Sequence, residues 1–344
     1  MKYDKVIGTG GVGTGVLFIS EIDETLGRNE SRLALLSPAK DYCKLHIVFH
    51  YTAVLLKDNA TVYPVSYVGD DPNGHKLRDE MTIAGMDTQY LGTTTDLPTM
   101  FGVCLQYPNK DGCNFSASNS ACDLVTPEYI EQCFATIGIN ERSIVAAIPE
   151  VRLEARAKML ELAKEKGAFC SLTLASAETE QAKQMDIFRH CDLLVVNEEE
   201  AATICGTDSN NNEIIAQSLA EYLLNHYPHL NAIVTCGDEG AYTIYNNNIE
   251  HVPTLPVNVV NTTGAGDAFL GGTLGALAYG YPLQKGCNDT FFGQTSLQSA
   301  PELGTLCAGM AVECEDSIAT VVTMESVSQR ITSNKWECAK WFAK

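Results

Sequence analysis

Asn261-Thr262-Thr263-Gly264-Ala265-Gly266-Asp267-Ala268-Phe269 follows an extended β-branched run at residues 257–260 and opens an apolar, helix-like run over 268–279. A glycine-rich turn feeding a helix leaves several backbone N–H groups unpaired and aimed one way, and the helix dipole adds positive potential at the same point. Such a turn is suited to hold an anion. Asp267 is the unusual member of the stretch. A carboxylate among anion-binding groups repels the ligand unless it works on a proton beside it. The combination points to phosphoryl transfer, with Asp267 as base and the amides of Gly264, Ala265 and Gly266 taking the charge that develops. Taken alone, the stretch also fits an ordinary helix start whose first-turn acid complements the dipole.

Working outward, strand and helix patterns alternate. Residues 5–8, 61–68, 143–148, 168–174, 192–196 and 232–236 read as strands, and 73–84, 152–166 and 213–226 as helices. The helix over 152–166 carries Leu153, Ala157, Leu160 and Ala163 on one face and stops at Gly167. Residues 241–249 form a hairpin turning at Asn246-Asn247-Asn248. This alternation predicts an α/β fold, a mainly parallel sheet sandwiched by helices. Residues 100–107 and 113–118 instead pair directly around Pro108-Asn109-Lys110-Asp111-Gly112, with no helix between them.

Composition fits a large enzyme. The chain has 344 residues, enough for a full core, and its 23 basic against 43 acidic residues give a net charge of −20. That balance disfavours nucleic acid and anionic membrane as partners. No apolar run is long enough to cross a bilayer, and Met1-Lys2-Tyr3-Asp4 leads straight into a strand, so a cytoplasmic protein is expected. The 13 cysteines are scattered and many lie in apolar segments, which reads as buried free thiols in a reducing compartment. Cys104, Cys113 and Cys122 lack the short paired spacing of a zinc site.

The stretch at 261–267 resembles the C-terminal signature of the ribokinase-like (PfkB) family of sugar and nucleoside kinases, Asp-Thr-x-Gly-Ala-Gly-Asp, with Asn261 in place of the leading Asp. Further matches follow in the family's order. Val68-Gly69-Asp70-Asp71 with Gly74 resembles its Gly-x-Asp-x-x-Gly turn, and Pro98-Thr99 the start of a lid strand. Asn197-Glu198-Glu199-Glu200 resembles its Asn-x-x-Glu motif, and Val234-Thr235-Cys236-Gly237 with Gly240 its nucleotide-side turn. The resemblance implies a ribokinase-like fold with a small β-sheet lid. Residues 1–15, 45–97 and 119–344 would form the kinase core, and 16–44 and 98–118 the lid over the substrate. It implies ATP and Mg2+, with Asn197 and Glu200 holding magnesium through water and with Thr235, Gly237 and Thr263 on the nucleotide side. Residues 305–311 would flank adenine. Asn197 and Glu200 are equally well placed to cap a helix. A monovalent cation is doubtful because Asn261 replaces an acid. Pairing through the exposed lid sheet would give a homodimer.

The substrate side departs from the family, which usually carries an early Asp and a Gly-Gly-x-x-x-Asn element. A run of glycines at 11–15 stands in place of that Asp, and a gap-free count back from Gly69 puts His50 at the Asn and His46 near the first Gly. His46 and His50 share one face of a helix over 45–57 and could hydrogen-bond a polyol or an acidic substituent. Gly11, Gly13, Asn29 and Asn119 complete the candidate substrate contacts; Arg28, Glu30 and Arg32 are further polar candidates in the lid. Ala175-Ser176-Ala177-Glu178 resembles the small-residue run of adenosine-kinase-like members. The resemblance implies ATP-dependent phosphorylation of a hydroxyl of a small sugar or sugar-like substrate, with an adenosine-kinase-like nucleoside kinase or a non-catalytic sugar- or nucleoside-binding relative as alternatives. Gly8-Thr9-Gly10-Gly11-Val12-Gly13 also satisfies a dinucleotide pattern, but no helix pattern and distant acid follow it.

Overall fold

A computed structural model describes residues 1–109, 112–285 and 297–333. Lys110 and Asp111 of the expected hairpin tip lie outside the described residues, as do 286–296 and 334–344 of the C-terminal region. The chain begins with β1 (Lys5–Thr9), β2 (Gly13–Ile19), β3 (Leu35–Leu36) and β4 (Asp41–Tyr42). There follow α1 (Lys44–Leu56), β5 (Thr61–Gly69), α2 (Pro72–Ile83), β6 (Leu91–Thr94) and the hairpin β7 (Met100–Gln106) to β8 (Gly112–Ser116). Alternation resumes with α3 (Pro127–Ile137), β9 (Ser143–Ala147), α4 (Leu153–Glu165), β10 (Phe169–Thr173), α5 (Thr179–Gln184) and β11 (Leu193–Asn197). After these come α6 (Glu198–Cys205), α7 (Asn212–His226), β12 (Asn231–Thr235), the hairpin β13 (Ala241–Tyr245) to β14 (Asn248–Val252), α8 (Ala265–Tyr279), α9 (Ala300–Ala311) and α10 (Met324–Ser333).

Among the described residues the large sheet has nine strands in the order β14-β13-β12-β11-β10-β9-β1-β5-β6, parallel from β12 to β6 and antiparallel at β13 and β14. Its central strands β1, β9, β10, β11 and β12 are buried on both faces, as their continuous apolar runs require, while the edge strands β6 and β14 are partly exposed. Side chains alternate between two cores. Ile144 and Ala146 of β9 enter the cluster under α1, α8 and α9, whereas Val145 and Ala147 enter the one under α3, α4 and α7. Helix α8 sits against α1 because Gly271 has no side chain; a Cβ there would lie 2.4 Å from the Val48 carbonyl oxygen. The run at 257–260 before α8 is not a strand. The amides of Val260 and Asn261 turn to the Val312 carbonyl at 2.7 and 3.2 Å.

The smaller sheet is separate. Strand β2 continues from the end of β1 and pairs in parallel with β7 from Gly13↔Met100 to Ile19↔Gln106, with β3, β4 and β8 completing it. A strand where a helix should follow the glycine run removes the dinucleotide reading of residues 8–13. Its root is fastened by Asp71, which caps α2 through the Gly74 amide (2.8 Å) and accepts the Thr99 amide and hydroxyl, both at 2.8 Å. The motif around Gly69 thus ties the entry of β7 to the core. Phe101, Val103 and Phe115 stay exposed on the sheet, and residues 21–30 are exposed without regular structure. Among the described residues no helix is long and apolar enough to cross a membrane, and the cysteines are free thiols.

Candidate active site

Strand order reverses between β1 and β9, since the chain proceeds to β5 on one side and returns to β9 on the other. The crevice outside the carboxyl ends of such a pair is where open α/β sheets take ligands. Two segments leave the sheet there: residues 10–12 after β1, and Ile148-Pro149-Glu150 after β9. Glu150 is held in the left-handed region at φ 75°, a conformation that costs a non-glycine residue of order 1–3 kcal/mol and survives only where its surroundings enforce it.

What enforces it is the start of α1. Cys43 provides no side-chain cap, and Glu150 Oε2 accepts the Lys44 amide at 2.9 Å instead. Gly11 makes room, because a Cβ on it would fall 2.5 Å from that same oxygen. The Leu45 amide donates to the Gly11 carbonyl at 3.2 Å. Burial pushes the Glu150 carboxyl up to about 7, against the opposing pull of Lys44.

The turn before α8 meets this group from the other side. Gly264 has φ 81°, and a Cβ on it would lie 2.6 Å from the Ser317 carbonyl oxygen, so the position demands glycine twice over. Beyond it no carbonyl among the described residues accepts from the amides of Gly266 and Asp267, and a Cβ on Gly266 would meet nothing within 4 Å. The Ala265 amide, expected to face the anion, turns back to the Thr262 carbonyl at 3.2 Å. Asp267 Oδ1 lies 3.7 Å from Lys44 Nζ. Asp267 is raised from the usual carboxylate range by burial, with Lys44 pulling it back down, and Asp267 in turn raises Lys44. A base near an ammonium and an open row of amides can take a proton while the same cation and amides hold an anion.

Asp267, Gly264 and Thr263 line a cavity of about 100 Å³ with Asp41, Lys44 and Glu150, and Asn114 and Ser116 of the lid lie over it. A second cavity of about 270 Å³ adjoins it at Ser116 and Glu150 and reaches Asp123 and Arg152. Several expected substrate contacts lie elsewhere. His46 and His50 do not line either cavity; the face of α1 that does carries Lys44 and Ile47. Both imidazoles are buried in the core, His46 edge-on to Tyr42 and His50 to Tyr51, and burial lowers them to about 3 and about 4. Gly11 and Gly13 are packing positions, Gly13 being closed by the Met100 carbonyl, 2.4 Å from where its Cβ would stand. Asn29 and Asn119 are exposed and line neither cavity.

The pfkB family carbohydrate kinase model matches residues 50–324. The chain belongs to this family. The ribokinase of Staphylococcus aureus strain COL is 26% identical over 266 residues, 77% of this chain and 80% of that protein. Among solved structures, a ribokinase from Giardia lamblia superposes with TM-score 0.77 at 16% identity, covering 95% of this chain and 99% of that one. A Burkholderia thailandensis nucleoside kinase in complex with inosine gives TM-score 0.70 at 14% identity, covering 95% and 97%. As a PfkB-family kinase the protein is a phosphotransferase with an alcohol group as acceptor.

In this PfkB kinase the Asn197 and Glu200 side chains are each occupied with the other residue's main-chain amide. Asn197 Oδ1 accepts the Glu200 amide at 2.8 Å, and Glu200 Oε2 accepts the Asn197 amide at 3.0 Å. Glu200 is buried and raised by desolvation, and among the described residues its other oxygen meets only Ser176, in a long contact at 3.4 Å. Among the described residues no cluster of three His, Cys, Asp or Glu is arranged to hold a metal. One carboxylate oxygen per capped pair fits an ion held through water, not directly. Thr235 pairs with Asn197 across β11 and β12, and Gly237, at φ 53°, is open, with nothing within 4 Å of a Cβ. Residues 305–311 form much of α9, with Thr305 buried.

Asn261 is a neutral amide whose polar atoms are both engaged within the protein: its Nδ2 donates to the Glu315 carbonyl at 2.7 Å and its Oδ1 accepts the Thr263 amide at 3.0 Å. Exchanging sodium for potassium is therefore expected to change the initial rate of ADP release less than about twofold. A tenfold rise would contradict it.

Lys44, Glu150 and Asp41 line the cavity beside Asp267, and the sequence reading passed over them. Two carried a signal. Lys44 is a cation at a helix N-terminus, against the dipole, and Glu150 is an acid just past the end of a buried strand.

Proposed function

We propose that the protein phosphorylates a hydroxyl of a small sugar with ATP as donor. The observation that carries this is the Asp267–Lys44 pair at the N-terminal amides of α8 that no carbonyl among the described residues pairs, inside a cavity roofed by the lid. ATP with Mg2+ would supply the phosphoryl group and the divalent charge, the ion being held through water by Glu200 and Asn197. Asp267 accepts the proton of the attacking hydroxyl. The amides of Gly266 and Asp267 and the Lys44 ammonium stabilise charge on the transferred group, and Glu150 orients the acceptor against Asp267. Thr235, Gly237 and Thr263 are the nucleotide-side contacts of this reading.

ADP release across a panel of ketoses, aldoses, sugar acids and nucleosides tests it, with release expected for at least one sugar. Binding of a sugar with no ADP release would make the protein a non-catalytic binder. A nucleoside acceptor is a second reading, favoured by the adjoining 270 Å³ cavity, which gives space beyond the first for a ring attached to the sugar. The inosine-bound Burkholderia structure has the same fold.

A further inference from the structure

We propose that Asp41 selects the acceptor, binding hydroxyls of an uncharged polyhydroxy compound and turning away acidic ones; this rests on the kinase reading above. Asp41 belongs to the two-residue strand β4, paired antiparallel to β2 with Gly15 opposite it. Gly15 is what lets the carboxylate in, since a Cβ there would lie 2.7 Å from Asp41 Oδ2 and 3.0 Å from the Gly102 carbonyl oxygen. The strand is fixed on both sides of Asp41. The Lys40 amide donates to Asp316 Oδ1 at 2.8 Å and the Tyr42 amide to Ser317 Oγ at 3.1 Å. Ser317 also abuts Gly264, so Asp41 is held in register with the turn that carries Asp267.

The carboxylate itself is poorly supplied. Asp41 is 9% exposed and lines the cavity, and its side-chain hydrogen-bond donor among the described residues is the Cys104 thiol at 3.2 Å. A thiol is a weak donor, and a buried carboxylate without stronger ones is costly. The nearby Thr14 hydroxyl is already spent on the Asp41 main-chain carbonyl at 3.1 Å. Hydroxyl donors from a polyol in the cavity fill that deficit. Charge points the same way. Among the described residues lining the cavity, Asp41, Glu150 and Asp267 face one cation, Lys44, which Asp267 already holds. A second anion on the acceptor enters a partly desolvated site of like charge.

Calorimetric titration without nucleotide, using neutral ketoses, aldoses and nucleosides beside uronates and sugar phosphates, separates the outcomes. Wild type should bind at least one neutral polyol and none of the acids. D41A should bind that polyol roughly 30-fold more weakly, the loss expected for hydrogen bonds to a charged group. The isosteric D41N, with an unfolding midpoint close to wild type, should fall between. Equal affinity in D41N and D41A to wild type, comparable binding of the acids, or no neutral ligand at all would overturn the proposal. If binding follows the expected pattern while wild type releases no ADP with that ligand, Asp41 keeps its role and the kinase reading fails instead.

Discussion

Asp267→Asn should lower kcat by a factor on the order of 10²–10⁴, the usual cost of losing a positioned general base, with the Kd for a non-hydrolysable ATP analogue within about threefold of wild type. The substitution keeps the shape of the side chain and the start of α8. It removes the proton acceptor and the negative charge 3.7 Å from Lys44 Nζ. Nucleotide binding should hold or tighten slightly, because a carboxylate beside a phosphate repels it. The split between a collapsed kcat and an unchanged Kd separates a base from a structural cap, since loss of a cap lowers both through instability. Turnover near wild type would remove Asp267 from the chemistry. So would a loss of activity matched by an equal loss of folded protein in a thermal melt.

Why Asp267 was legible in the sequence and its partners were not has a physical reason. The turn from Thr263 to Asp267 is local: glycines, amides and acid lie within five residues, and one helix start fixes their geometry. The parallel sheet was equally readable, because strands buried on both faces carry continuous apolar runs. The cavity wall is different. Lys44 and Asp41 share one short stretch, but Glu150 lies 106 residues beyond Lys44 and Asp267 comes from the start of α8, and only the order of β9, β1 and the lid strands brings these segments together. His46 and His50 had suitable chemistry and spacing, but spacing alone does not say which face of α1 meets the cavity, and theirs is packed into the core while Lys44 and Ile47 line the cavity. Asn197 and Glu200 show a further limit, because the spacing that suggests a shared ion also builds the reciprocal helix cap seen at α6.

Lys44→Met should cost kcat/KM for the acceptor on the order of 10²–10³, comparable to removing one preorganised donor from a site of developing negative charge. Methionine keeps the length and apolar stem of the side chain, and the main-chain bond to Glu150 is unaffected. The charge is what goes, and its loss acts twice. It withdraws a cation from the transferred phosphoryl group, and it leaves Asp267 and Glu150 without the ammonium that holds both below where burial alone would put them. Both carboxyls then rise further, so at neutral pH a larger share of Asp267 is protonated and unable to act as base. The deficit of the variant against wild type should therefore be larger at pH 6.5 than at pH 8.5, with the acid limb of its rate profile displaced toward alkali. A purely structural lysine would give a deficit of the same size at both pH values. That flat result, in a variant that melts like wild type, would leave Asp267 working without Lys44.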